Sequence, residues 1–210
     1  VGVAGVMWNV NLISAKTINS SGQTDLASTI QAIDYITDLR TQKGLDIIAS
    51  NNSWGGTRYS QALENAIKRG GDAGIMFVAA AGNDAGNIDS TPQYPAAYDC
   101  STTHRIFDCV VSVAAIQEDG GLASYSNIGS TGVDVAAPGT NVLSTMPGDS
   151  YGVLSGTSMA APHVTGALAL CVASYRGTSG LSAIQKLMST ATANAALSGK
   201  VASGGQLNVE

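Results

Sequence analysis

The strongest chemical signal in the sequence is a serine flanked by small residues. It is Ser158, in the run 156–166 (GTSMAAPHVTG). We predict that Ser158 opens a helix, whose N-terminus presents free N–H groups and a positive dipole end to a developing oxyanion. Small neighbours let a substrate backbone approach, and Pro162 is expected in the first helical turn, where proline is tolerated. Taken alone, Ser158 would also suit an ordinary serine N-cap.

Two further segments carry polar or aromatic side chains next to glycines. They are 78–83 (VAAAGN), which ends in Asn83, and 52–56 (NSWGG), which contains Trp54. From the residues alone, Asn83 is interpreted as a turn residue and Trp54 as a core or surface tryptophan.

The elements that must position these residues alternate along the chain. Strands are predicted at 12–18, 45–50, 75–81, 109–116 and 133–136, and helices at 25–43, 60–69, 158–175 and 181–191. Thr24 is expected to cap the first helix and Gly70 to end the second. Strands whose apolar residues do not alternate with polar ones, separated by helices, indicate an α/β fold. Its mainly parallel sheet would be covered by helices on both faces. Ligands of such sheets bind beyond the carboxyl ends of the strands.

Composition and charge exclude several classes of function. The chain has 210 residues, of which 44% are hydrophobic, so one domain spanning residues 1–210 is the default. A formal net charge of −5 with scattered basic residues argues against nucleic-acid and anionic-membrane partners. No apolar run approaches the roughly 20 residues that span a bilayer. No phosphate-binding loop motif occurs, which excludes a nucleotide-binding site of that kind.

The three cysteines fall into two groups. Cys100 and Cys109 flank a short polar segment, where a local disulfide is predicted by analogy with secreted proteins. The alternative is two reduced cysteines that happen to be close in sequence. Cys171 lies in an apolar run and is expected to be a buried free thiol.

The run 156–166 closely resembles the nucleophile motif of the subtilisin-like serine proteases, the subtilase family S8. In this resemblance 78–83 matches the oxyanion segment, with Asn83 at the asparagine whose amide donates to the oxyanion. The segment 52–56 is similar to the family's substrate-binding segment. The remaining matches are 124–129 (SYSNIG), 133–139 (VDVAAPG) and 203–209 (SGGQLNV).

The resemblance implies a subtilisin-like fold and a serine endopeptidase that works through an acyl-enzyme on Ser158, with no cofactor needed for the chemistry. Asn83 and the Ser158 backbone N–H would stabilise the oxyanion. Protein or peptide substrates would bind between two walls, formed by Ser53, Trp54 and Gly55 and by Ala80, Ala81 and Gly82. Trp54 stands where many relatives carry a smaller aliphatic residue. Most members of the family are secreted, so an extracellular location is expected.

The resemblance also implies a structural calcium ion. Some relatives hold one with backbone carbonyls near a Tyr-Pro pair and with an aspartate before an Ala-Pro-Gly turn. The matching residues are Pro95 and Asp134. Oxygen ligands of this kind suit calcium, although Asp134 would equally serve to cap a turn.

The aspartate and histidine motifs of the family do not occur in the sequence. A serine hydroxyl needs a base, which in turn needs an orienting acid. The only histidines are His104, which no motif places in the site, and His163, whose motif position is structural in the family. Residues 1–6 (VGVAGV) resemble the segment that follows the histidine helix. We therefore expect the C-terminal part of a catalytic domain, without the N-terminal portion of the fold.

Three explanations for the missing motifs stay open: a nicked enzyme whose N-terminal fragment is a partner chain, a truncated sequence, and a non-catalytic relative that only binds peptides. Alone, this chain is expected to be nearly inactive. An α/β-hydrolase esterase is disfavoured, because Ala160 replaces the second glycine of its Gly-x-Ser-x-Gly motif.

Overall fold

A six-stranded sheet forms the centre of the computed structural model, which describes residues 2–99, 109–175 and 177–210. The strands are β1 (Ala49–Asn52), β2 (Met76–Ala80), β3 (Val110–Ile116), β4 (Val135–Pro138), β5 (Val142–Met146), β6 (Ser150–Leu154), β7 (Thr192–Ala193) and β8 (Gly205–Gln206). The sheet has the order β1-β2-β3-β4-β8-β7, in which only β7 runs antiparallel to its neighbour. β5 and β6 form a separate antiparallel hairpin.

Four helices cover the two faces of the sheet within the described residues. They are α1 (Leu26–Thr41), α2 (Gln61–Asp72), α3 (Thr157–Ser174) and α4 (Gly180–Ser189). On one face α3 packs against the strands, with Val78 and Val113 in the shared core and α4 beside α3, and on the other face α2 packs against β2. Every residue of β2 and β3 is buried, which explains why these strands show no polar alternation. The predicted α/β fold with a mainly parallel sheet is confirmed.

Two predicted strands differ from the structure. Residues 12–18 form no strand: Ile18 makes only a single bridge, to Thr24, and the Leu12 side chain is 90% exposed. The strand predicted at 45–50 starts later, at Ala49. The residues before it turn back onto α1, where Leu45 N–H donates to the Leu39 carbonyl at 3.1 Å.

Two helix ends also differ from the prediction. The N-cap of α1 is Asp25, not Thr24, because the Asp25 carboxylate accepts the Ser28 backbone N–H at 2.8 Å. Gly70 does not end α2 but lies inside it. A Cβ at Gly70 would come within 3.4 Å of Thr37 Oγ1 on α1, so the glycine allows the two helices to approach closely. The left-handed residue after α2 is Gly74, with φ of +86°.

Candidate active site

The sheet and α3 bring the predicted site residues to one place. Ser53 directly follows β1, and Asn83 lies three residues after β2. Both therefore leave the carboxyl ends of neighbouring parallel strands. Ser158 is the second residue of α3 and faces them. The parallel sheet explains why three residues distant in sequence become neighbours in space.

Ser53 and Ser158 are joined by two hydrogen bonds. Ser53 Oγ donates to the Ser158 carbonyl at 2.8 Å, and Ser158 Oγ donates to the Ser53 carbonyl at 3.3 Å. The first of these bonds compensates for Pro162. The prediction that Pro162 lies in the first turn is wrong, because it is the sixth residue of α3. Because proline has no N–H, the Ser158 carbonyl lacks its helical donor, and the Ser53 hydroxyl takes that place.

The amide of Asn83 is oriented by Thr157. Asn83 Oδ1 accepts hydrogen bonds from Thr157 N–H and from Thr157 Oγ1, both at 2.9 Å. This leaves the Nδ2 donor on the other side of the amide. A Cβ built on Gly156, which has φ of 155°, would lie 3.4 Å from Asn83 Nδ2 and 3.7 Å from the Ser158 nitrogen. The two candidate oxyanion donors therefore border the same space before α3.

A cavity of about 250 Å³ opens beside Ser158. It is lined by Trp54, Gly55, Ala80, Ala81, Gly82, Asn83, Asp84, Gln93, Tyr94, Thr157 and Ser158. Seven of these residues were predicted for the site, whereas Asp84, Gln93, Tyr94 and Thr157 were not. Ser53 contacts Ser158 without lining the cavity. A Cβ at Gly55 would come 3.1 Å from the Tyr94 carbonyl oxygen, so a larger residue at this position would narrow the cavity.

Aromatic side chains support the wall around Tyr94. Gly56 and Tyr94 exchange backbone hydrogen bonds of 2.8 and 2.7 Å, and the Tyr94 ring lies 5.4 Å from the ring of Tyr59. A hydrogen bond to Glu64 raises the pKa of Tyr59 to about 12, so the phenol stays neutral at ordinary pH. Trp54 packs edge-on against Phe77, with ring centroids 6.3 Å apart.

A buried amide missed by the sequence analysis shapes the loop that carries Asn83. Asn127 is fully buried, and its Nδ2 donates to the Ala81 carbonyl at 2.9 Å. Its Oδ1 accepts the N–H groups of Asp84 at 3.0 Å and Gly86 at 2.9 Å. Gly82 has φ of +105°, and a Cβ there would lie 2.3 Å from Asn127 Nδ2. The match at 124–129 marked this segment but gave Asn127 no role.

No histidine contacts the Ser158 hydroxyl within the described part of the chain. His163 Nδ1 lies 2.8 Å from the Met159 carbonyl of its own helix. This contact agrees with the structural role expected for His163. His104 lies outside the described residues.

The two residues predicted for calcium do not by themselves form a metal site. Asp134 Oδ2 accepts the Ser112 backbone N–H at 2.7 Å, and the Pro95 carbonyl accepts Tyr98 N–H at 3.1 Å. Among the described residues, no three His, Cys, Asp or Glu side chains are grouped so as to hold a metal ion. Both oxygens already serve local hydrogen bonds, and calcium binding stays a prediction.

Cys109 is disulfide-bonded, and Cys171 is a buried free thiol, as predicted. Cys100, the partner predicted for Cys109, lies outside the described residues. In the part of the chain that is described, no helix is both long enough and apolar enough to cross a membrane.

Comparison with known proteins identifies the family. The sequence profile of the Subtilase family matches residues 1–205. Subtilisin DY of Bacillus licheniformis is 40% identical over 91% of this chain, and subtilisin NAT of Bacillus subtilis subsp. natto is 35% identical over 91%. The chain spans 64% and 46% of the lengths of these two proteins. The crystal structure of a cold-adapted subtilisin-like serine proteinase superposes with a TM-score of 0.78 and 29% identity, over 99% of this chain and 70% of the other. This chain belongs to the subtilase family.

Proposed function

We propose that the protein is a serine endopeptidase with Ser158 as its nucleophile. The observation that carries this proposal is the position of Ser158 at the start of α3, on the edge of a 250 Å³ cavity and beside the Asn83 amide. A hydroxyl, a helix N-terminus and an amide donor around one cavity suit acyl transfer.

In the proposed reaction, Ser158 Oγ attacks the carbonyl carbon of the scissile peptide bond and gives its proton to a base. The hydroxyl first releases its 3.3 Å hydrogen bond to the Ser53 carbonyl. The carbonyl oxygen becomes an oxyanion, which accepts hydrogen bonds from Asn83 Nδ2 and the Ser158 N–H. The C–N bond then breaks, the amine leaves with the proton, and water hydrolyses the ester on Ser158.

We propose that the base and its orienting acid come from a segment outside this chain, which would be its partner. His163 is engaged within α3. The relatives that match this chain are longer than it is, so their sequences have room for such a segment. The chain alone is expected to retain only the weak catalysis that binding and the oxyanion donors supply.

Protein or peptide substrates would lie extended along residues 53–55 and pair with their backbone as an added strand. The cavity then receives the side chain that precedes the scissile bond. We also propose an extracellular location, which the disulfide at Cys109 supports.

The test is intact mass spectrometry of the purified protein with and without a fluorophosphonate label. A second polypeptide together with one label on Ser158 is the expected result for a complete protease. Ser158→Ala should abolish labelling, whereas Ser155→Ala, an exposed neighbour outside the cavity lining, should leave it unchanged. Labelling that persists in Ser158→Ala would assign the nucleophile to another residue.

A peptide-binding role without chemistry is the second candidate, because no base contacts Ser158 in the described residues. A single chain that stays unlabelled but binds peptides would favour it. Ser158→Ala would then bind the same peptides with unchanged affinity.

A further inference from the structure

The loop that carries Asn83, residues 81–86, has a strained backbone. Two of its residues lie in the left-handed region: Gly82 with φ of +105° and Ala85 with φ of +53°. This region is unfavourable for a residue with a Cβ, such as Ala85. A backbone of this kind persists only where its surroundings hold it in place. Because Asn83 lies between these two residues, the position of its amide depends on what holds the loop.

Asn127 holds this loop on both sides of Asn83. Its Nδ2 donates to the Ala81 carbonyl at 2.9 Å, and its backbone N–H donates to the Gly82 carbonyl, also at 2.9 Å. Its Oδ1 accepts two N–H groups, at 3.0 and 2.9 Å, from residues that follow Asn83. A single residue therefore makes four hydrogen bonds to the backbone around the Asn83 amide.

Asn127 is itself anchored to the central sheet. The neighbouring Ser126 Oγ accepts the backbone N–H of Ala115, in β3, at 2.9 Å. The same hydroxyl donates to the Asn127 carbonyl at 3.0 Å. Ser126 and Asn127 are both buried, so these bonds are shielded from water and strengthened by the low local dielectric. A buried strand thus sets the position of Asn127, and Asn127 sets the position of the loop.

We infer that Asn127 is a positioning residue for the oxyanion amide of Asn83. The inference rests on the proposed function, because it assumes that this amide stabilises an oxyanion. Thr157 orients the amide group itself, whereas Asn127 fixes the backbone from which the amide extends. Since the oxyanion forms only during the reaction, a displaced amide should slow the chemical step and leave substrate binding unchanged.

The test measures kcat and KM at pH 8 for hydrolysis of acetyl-Ala-Ala-Ala-Leu p-nitroanilide. The enzyme is the purified protein with the second polypeptide expected for a complete protease. Asn127→Ala removes the whole amide. Asn127→Asp keeps one oxygen acceptor and replaces the Nδ2 donor with a second oxygen, and the two N–H groups that it accepts favour the ionised form of its carboxyl.

Each substitution at Asn127 should lower kcat by about 10- to 100-fold, the effect of a shift of roughly 1 Å in a catalytic group, and should change KM by less than about twofold. Denaturation curves establish that each variant is folded at the assay temperature. Asn127→Asp retains more of the hydrogen bonds, so it serves if Asn127→Ala does not fold.

Asn83→Ala separates positioning from general support of the fold. Without the Asn83 amide there is nothing to position, so adding Asn127→Asp should then lower kcat by less than about twofold. Asn194→Asp is the matched control, because the Asn194 side chain also makes three hydrogen bonds but lies outside the cavity lining. It should leave kcat unchanged.

The same loss of kcat with and without the Asn83 amide would overturn this inference and leave the proposed function standing. A rise in KM with no change in kcat would do the same. A wild-type protein that neither hydrolyses the peptide nor takes the fluorophosphonate label would overturn the proposed function, and the positioning role falls with it.

Discussion

Asn127 holds the Asn83 loop through three side-chain hydrogen bonds from a fully buried position. Asn127→Ala leaves two backbone N–H groups and the Ala81 carbonyl without these partners. We expect a loss of about 2–4 kcal/mol in the free energy of unfolding, measured by urea denaturation. Asn65→Ala, on the exposed side of α2, should change the same quantity by less than about 0.5 kcal/mol. Equal effects of the two substitutions would contradict the role assigned to Asn127.

Asp89 makes the stability of the protein depend on acid pH. Burial tends to raise its pKa, but hydrogen bonds from Gly132 N–H, Thr131 and Ser130 outweigh burial, and the pKa lies below the ordinary 3.8. The ionised carboxylate therefore stabilises the folded state above the unfolded pKa, and this contribution is lost as pH falls through the folded pKa. The difference in unfolding free energy between wild type and Asp89→Asn should shrink below about pH 4. A difference that stays constant from neutral pH to pH 3 would exclude this linkage, and Asp38→Asn controls for the lost charge.

At the residue scale, the sequence predicted the members of the site that belong to motifs. Ser158, Asn83 and Trp54 all line the cavity. Asn127 was not assigned a role, because its contribution depends on contacts with a segment distant in sequence. The sequence offers one signal for Asn127: it is a polar residue inside the segment 124–129, which resembles the family.

Helix α3 depends on a hydroxyl supplied by the end of β1. Since Pro162 cannot donate to the Ser158 carbonyl, Ser53→Ala removes the side-chain donor that replaces it. We expect a loss of about 1–2 kcal/mol in unfolding free energy. In a Pro162→Ala background the helical N–H is restored, so Ser53→Ala should cost less. A double-mutant cycle measures this coupling, and additive effects would contradict it.

The buried elements were predicted better than the exposed ones. β2, β3, α3 and α4 were placed to within a few residues, because continuous apolar runs and helical periodicity report burial directly. The β5–β6 hairpin was missed, because its residues are mostly exposed and its apolar side chains do not alternate strictly with polar ones. The segment 12–18 was wrongly predicted to be a strand. Its composition is typical of a strand, but it has no neighbouring strand to pair with among the described residues.

At the scale of the whole molecule, several apolar side chains are exposed to solvent in and around the N-terminal segment. Trp8 is 81% exposed and Leu12 is 90% exposed. Gly2 packs beside Tyr151 of the β5–β6 hairpin, and the Tyr151 side chain is also exposed. Surface of this kind favours association. We expect the sedimentation coefficient to rise with protein concentration.

The combined substitution Trp8→Ser and Leu12→Ser should weaken that concentration dependence. Lys16→Ser and Gln31→Ser, two exposed polar changes, form the control pair. A sedimentation coefficient that stays constant for wild type over the concentration series would show that this surface does not drive association.

The bonds between Ser53 and Ser158 join residues 105 positions apart. At translation rates of about 5–20 residues per second, the ribosome makes Ser158 roughly 5–20 s after Ser53. One wall of the cleft is thus synthesised well before the helix that completes it. A nascent chain that ends before α3 therefore has no assembled cleft, and the site can form only after α3 has been synthesised.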